Sequence, residues 1–131
     1  MQMKSNRILA TQGESLAREY LLRNGYSIIT TNYTTPYGEL DIVAKDNDSL
    51  VVVEVKTRSG HNLPMAENSI SLSKQKKLTR TAMEFIAANE EYSHLSCRFD
   101  VIILFYYAKE DNYKLYHYRD AFKPIFQSAE D

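Results

Sequence analysis

Gly38-Glu39-Leu40-Asp41-Ile42-Val43-Ala44-Lys45 and, after a short polar interval, Ser49-Leu50-Val51-Val52-Val53-Glu54-Val55-Lys56-Thr57-Arg58 decide the fold. Both read as β-strands, whose side chains alternate between faces with a period of two. In the second run Val52, Glu54 and Lys56 share one face, and Val51, Val53 and Val55 the other. In the first, Glu39, Asp41 and Val43 oppose Leu40, Ile42 and Ala44. If Asp46-Asn47-Asp48-Ser49 turns the chain back, the strands pair, Asp41 stands beside Glu54, and Lys56 follows along the strand. Two carboxylates and an ammonium converging on one spot can hold a divalent metal beside a phosphodiester. That arrangement points to a nuclease.

Charges alternating along a strand more commonly mark a solvated face with a weak ion pair. Three features argue against that here. The valine run suits a central strand buried on both sides, where a charge is costly unless paired or metal-bound. Asp41 interrupts a second apolar strand. Gly38 follows Pro36-Tyr37, so a turn delivers the chain into the strand where backbone can approach a ligand.

Phosphodiester hydrolysis needs a positioned water, neutralised charge on phosphorus and a stabilised leaving oxygen, and Mg²⁺ or Mn²⁺ can supply much of this. Asp41 and Glu54 are suited as direct ligands, with the Val55 carbonyl as a third candidate. Lys56 is suited to orient or deprotonate the attacking water, or to stabilise the phosphorane.

A chain of 131 residues, 44% hydrophobic, has room for one core, so residues 1–131 are expected to form a single nuclease-like domain. No stretch of about eighteen apolar residues predicts a membrane span. The first residues lack the apolar core of a signal peptide, and the only cysteine is Cys97, so the expected compartment is the cytoplasm. Cys97 reads as a small buried residue before a strand. The net charge of −1 is unevenly spread. Residues 56–80 carry six basic groups and one acidic group, Glu67. A local positive field of this kind favours phosphate at short range and is screened beyond about 10 Å. Arg58, Lys74, Lys76, Lys77 and Arg80 are candidates for phosphate contacts that position a nucleic-acid strand without reading it. An ordinary solvated helix face explains the same lysines equally well.

Around the two strands, residues 6–24 read as a helix stopped by Asn24-Gly25, and 26–33 as a first strand. Residues 58–72 read as a loop, followed by a helix capped by Ser71 or Ser73 and running to about Asn89. Strands over 98–107 and 113–118 meet across Asp111-Asn112, and a short helix is expected near Asp120. The order α-β-β-β-α-β-β predicts an α/β domain with a central mixed sheet flanked by helices. His61, His94 and His117 are far apart and read as surface or turn residues; Tyr107, Tyr113, Tyr116 and Tyr118 read as cross-strand pairs.

From Gly13-Glu14 through Tyr37-Gly38-Glu39-Leu40-Asp41, Val53-Glu54-Val55-Lys56-Thr57-Arg58, Pro64-Met65-Ala66-Glu67 and Lys74-Gln75-Lys76-Lys77-Leu78 to Cys97-Arg98-Phe99-Asp100-Val101, the chain resembles the YraN-like bacterial family. The family is similar to Holliday-junction resolvases and the PD-(D/E)xK nuclease superfamily. In this chain Leu40-Asp41 stands for the signature's Pro-Asp pair. The resemblance implies a restriction-endonuclease-like fold and a Mg²⁺-dependent (or Mn²⁺-dependent) endonuclease acting on DNA, branched or damaged DNA included. It also implies a metal-associated role for Glu14, which spacing alone reads as an exposed acid paired with Arg18. Gln75 matches the site glutamine of related nucleases, although the tyrosine that some of them place four residues later is Thr79 here.

Two other functions fit the same residues: a nucleic-acid-binding module without cleavage activity, and an adaptor or assembly protein whose charged trio is a buried ion network. Resolvases of this kind act as two-fold dimers, which makes a homodimer an expectation, with Phe105, Tyr106 and Tyr107 as a candidate patch.

Overall fold

The valine run lies at the centre of a five-stranded sheet, where its composition requires it to be. The computed structural model describes residues 4–59 and 70–126. In chain order it contains α1 (Asn6–Arg23), β1 (Ser27–Thr35), β2 (Gly38–Asp46), β3 (Ser49–Ser59), α2 (Leu72–Ala88), a 3₁₀ turn (Glu90–Tyr92), β4 (Ser96–Tyr107) and β5 (Asn112–Phe122). The strands lie side by side in the order β1-β2-β3-β4-β5. The pairs β1–β2, β2–β3 and β4–β5 are antiparallel; β3 and β4 run parallel, joined through α2. This is the expected α/β architecture of the restriction-endonuclease-like type.

Local chemistry sets the element ends. Ser5 caps α1, its hydroxyl accepting the Ile8 N–H at 3.2 Å. Gly25, at φ 86°, ends it. The Gly25 N–H bonds to Leu22 and the Tyr26 N–H to Leu21, the paired closure that a left-handed glycine allows. Ser71 caps α2 in the same way, accepting the Lys74 N–H. Asn47, at φ 53°, makes the tight β2–β3 turn, with Asp46 paired to Ser49.

The helices cover opposite faces. Ala17 and Leu21 of α1 pack on Ile42, Ala44, Val51, Val53, Ile102 and Leu104. Leu78, Ala82 and Phe85 of α2 pack on Leu40, Val43, Leu50, Val52 and Phe99. Each such side chain contributes about 1.5–3 kcal/mol on full burial, so β3, with valines on both faces, anchors both layers.

Several expectations need correction. Leu40 does not share a face with Ile42; it lies with Val43 under α2. Alternation breaks between the pairs Thr31↔Ile42 and Tyr33↔Leu40, where Asn32 takes φ 51° opposite Asp41. No helix forms at Asp120. β5 continues to Phe122, because Asp120 at φ 51° forms a bulge whose N–H bonds to the Asp100 carboxylate. Cys97 lies within β4 rather than before it, and burial pushes its thiol up to about 11. The Phe105-Tyr106-Tyr107 patch is already used inside the chain: Phe105 and Tyr106 are buried, and the Tyr106 hydroxyl donates to Asp111. Tyr113 pairs across the strands with Tyr106, centroids 4.9 Å apart, whereas Tyr107, Tyr116 and Tyr118 lie opposite Asn112, Ile103 and Val101. Gly60, His61 and the Pro64-Met65-Ala66-Glu67 motif lie outside the described residues.

Candidate functional site: a carboxylate pair where two strands part

The β2–β3 ladder stops at Ile42↔Val53. Beyond it the Val55 N–H bonds not to β2 backbone but to the Asp41 carboxylate, at 2.9 Å. Asp41 thus replaces a rung of the ladder, and the strands part there. The Asn32 kink opposite Asp41 on β1 is the backbone counterpart of that parting. The gap opens beside Glu54, next along β3.

Burial raises the Glu54 carboxyl, and hydrogen bonding and charge repulsion from Asp41 raise it further, to about 8, with Lys74 opposing. Lys74 approaches from the first turn of α2, its Nζ 3.6 Å from Glu54 Oε2. At half exposure this ion pair is only weakly stabilising, so it leaves the repulsion in place.

Glu14 comes from the opposite layer. Gly13 lies so close to β3 that a Cβ there would collide with the Thr57 hydroxyl. Only glycine lets α1 approach this closely, and the next residue, Glu14, is carried to the mouth of the gap. It is half-buried, and its carboxyl is raised by burial and then by Asp41 and Glu39, with Arg18 opposing. A cavity of about 460 Å³ is walled by Glu14 from α1, Glu54 through Arg58 from β3, and Ser71 and Lys74 from α2. Asp41 is not on its wall; it stands behind Glu54, held by Val55.

The sequence-predicted residues therefore separate into groups. Asp41, Glu54, Val55, Lys56 and Glu14 come together, with Arg58 on the same wall. Gln75 does not join them: its side chain donates to the Ile70 carbonyl at 2.7 Å, bracing the entry to α2. Lys76, Lys77 and Arg80 line a different groove. Lys74, a candidate for phosphate contact, lies apart from these three and is paired with Glu54. Serine capping at Ser71, legible in the sequence, is what aims it there.

Two raised carboxyls beside an acid that is hydrogen-bonded through backbone form a donor set suited to a hard divalent cation. Mg²⁺ is typically held by one or two carboxylates and keeps several waters. Among the described residues no three acidic, histidine or cysteine side chains are gathered tightly enough to hold an ion by themselves. Asp41 and Glu54, with the Val55 carbonyl and water, are thus the fitting set, and Glu14 stands next to it.

A second polar cluster went unread in the sequence. Arg98 bonds Asp100 through Nε at 2.9 Å, Asp46 at 3.1 Å and the Tyr26 hydroxyl at 2.9 Å. His117, read as a surface or turn residue, is instead mid-strand in β5 with a buried side chain. Its Nε2 lies 2.8 Å from Asp100 and its Nδ1 2.9 Å from the Tyr20 hydroxyl. Only the Arg-Phe-Asp motif hinted at it. His94 is exposed in a turn, as expected.

Fold and site together define a restriction-endonuclease-like α/β domain with an Asp…Glu-x-Lys constellation on its central strands. The chain belongs to the family described as "Uncharacterised protein family UPF0102", whose model matches residues 13–104. It is 35% identical to a UPF0102 protein of Clostridium beijerinckii over 120 residues, 92% of this chain and 97% of that one. A Treponema pallidum relative is 41% identical over 101 residues, 77% of this chain and 80% of its own. One from Thermodesulfovibrio yellowstonii is 39% identical over 115 residues, 87% and 95% of the two chains. Among the described residues no helix is long and apolar enough to cross a membrane.

Proposed function

We propose that this protein is a divalent-metal-dependent endonuclease hydrolysing phosphodiester bonds in DNA, with Asp41 and Glu54 holding the ion. The observation that carries the reading is the Asp41–Glu54 pair: two carboxylates in hydrogen-bond contact, one raised to about 8, where two strands part beside a lysine-lined cavity. A protein gains no stability from such repulsion; a bound cation relieves it.

When bound, Mg²⁺ or Mn²⁺ would neutralise phosphate charge and acidify a water. The chain's own groups do the rest. Asp41 fixes the Val55 backbone by accepting its N–H, next to the Glu54 carboxylate. Lys56, on the cavity wall, orients the attacking water or stabilises the charge that builds on phosphorus. Glu14 accepts a hydrogen bond from water at the cavity mouth. Arg58 and Lys74 draw the phosphate in, Lys74 exchanging its weak Glu54 contact for substrate.

The test is cleavage of linear, flapped and four-way DNA by the purified protein with Mg²⁺ or Mn²⁺. Activity should fall about 10²–10³-fold in Asp41→Asn and Lys56→Ala, the scale on which electrostatic stabilisers act. A wild type inactive on all substrates with both ions, or variants as active as wild type, would sink the reading. A fold that binds these DNAs without cutting them would favour the non-catalytic module.

A further inference from the structure

The second groove, of about 860 Å³, lies on the far side of α2 from the carboxylates. Its wall begins at Ser73, the residue before Lys74, and includes Lys76, Lys77 and Arg80 with Tyr37 from the β1–β2 turn and Phe126. Its composition is unusual for a solvated helix face. Among the described residues three cations line it and no acid does. Two aromatic side chains stay open, Tyr37 at 48% exposure and Phe126 at 66%. The Arg80 guanidinium lies 3.4 Å from the Tyr37 ring centroid, flat contact rather than a passing approach. That contact covers one face of the ring and leaves the residue 48% exposed. The ring is anchored because Gly38 sits against α2, where a Cβ would come 2.9 Å from the Thr81 hydroxyl.

Fixed aromatic faces set among cations match one ligand chemistry well. Unpaired bases stack on aromatic rings irrespective of sequence, while flanking phosphates need positive charge. A duplex offers no free base face, and an acidic peptide would use the cations but leave the rings idle. We infer that this groove holds an unpaired DNA arm, one base stacking on Tyr37 and its neighbouring phosphates bound by Lys76, Lys77 and Arg80. The inference rests on the proposed nuclease reading and deepens it: the substrate would carry a single-stranded segment beside the scissile bond. The groove begins at Ser73 and the carboxylate cavity at Ser71 and Lys74, so the two share the first turn of α2.

Binding is read without cleavage, in EDTA, by anisotropy of a labelled flapped DNA and of a blunt duplex, and by fluorescence of 2-aminopurine in the unpaired arm. Wild type and Tyr37→Phe should quench the 2-aminopurine. Tyr37→Ala should lose the quench and bind the flap about tenfold more weakly, with duplex affinity unchanged. Lys76→Glu with Lys77→Glu should weaken the flap complex and flatten its salt dependence by about two counterions, at most. Circular dichroism shows that each variant is folded. Unchanged quench and affinity in Tyr37→Ala overturn the inference, as does equal loss on flap and duplex, or a groove that binds an acidic peptide more tightly than the flap. These readouts are independent of the Asp41 and Lys56 cleavage test. Quench by a wild type that cuts no DNA, lost in Tyr37→Ala, keeps the groove and removes the nuclease, whereas cleavage by a wild type that does not quench does the reverse.

Discussion

Two acidic clusters occupy this sheet, and their electrostatics run in opposite directions. Around Asp100 every acid has a cation: Arg98 forks onto Asp100, Asp46 takes both Arg98 and Arg119, and the Asp120 N–H closes the ring. Burial would raise Asp100, but hydrogen bonds from His117, Arg98 and Asp120 outweigh it and hold the carboxyl below its ordinary range. Around Glu54 the acids face each other, and burial with Asp41 lifts Glu54 to about 8. The first cluster is completed by the chain; in the second, the proposed function calls for a bound cation. That contrast separates a structural network from a site more reliably than residue type, because both contain aspartates and basic residues on strands.

The comparison breaks most visibly at Asp100. Asp100→Ala should cost about 3–5 kcal/mol in urea unfolding, since it removes the buried carboxylate that both Arg98 and His117 bond. Because Asp100 is depressed in the fold, its contribution is present above the ordinary aspartate range and lost as pH falls through the folded value. Wild-type stability should drop steeply on acidification from about pH 4, and Asp100→Asn should show a shallower drop. Identical acid profiles would contradict the network's role.

Gly13→Ala tests the other cluster from its backbone. Pushing α1 off Thr57 should cost about 1–3 kcal/mol by overpacking, withdraw Glu14 from the cavity and lower cleavage, leaving the acid profile of the Asp100 network intact. Full stability and activity would show that the close approach is not required.

Glu54→Gln gives the smallest effect and the most telling sign. A carboxyl raised in the fold stabilises below its unfolded value of 4.5 and loses that contribution as pH rises through about 8. In EDTA the variant should therefore match wild type near pH 4 and exceed it in stability at pH 8. A destabilised variant at pH 8 would make Glu54 a structural ion-pair partner of Lys74.

Much of this was readable in the sequence. Val51 to Val55, flanked by turn residues, fixed a central strand, and the Asp46-to-Ser49 turn made Asp41 and Glu54 neighbours. The face assignment of Leu40 was not readable, because strand alternation assumes a regular ladder, and here Asp41 replaces a rung while Asn32 kinks the opposite strand. The strand beyond Tyr118 was hidden for a related reason: Asp120 looks like a helix cap, yet its left-handed backbone serves a bulge. The Asp100 network escaped because its members lie on three strands and a helix, up to 97 residues apart in the Tyr20–His117 contact. Periodicity places each residue on a face, but it does not say which distant partner meets it there.

The most direct measurement is calorimetric titration of Mn²⁺ into the wild type and Asp41→Asn at neutral pH, with both proteins shown to be folded. The account predicts one saturable divalent site per wild-type chain and its loss in the variant. No binding by the wild type at millimolar Mn²⁺, even with flapped DNA present, or equal binding by both proteins, would contradict it.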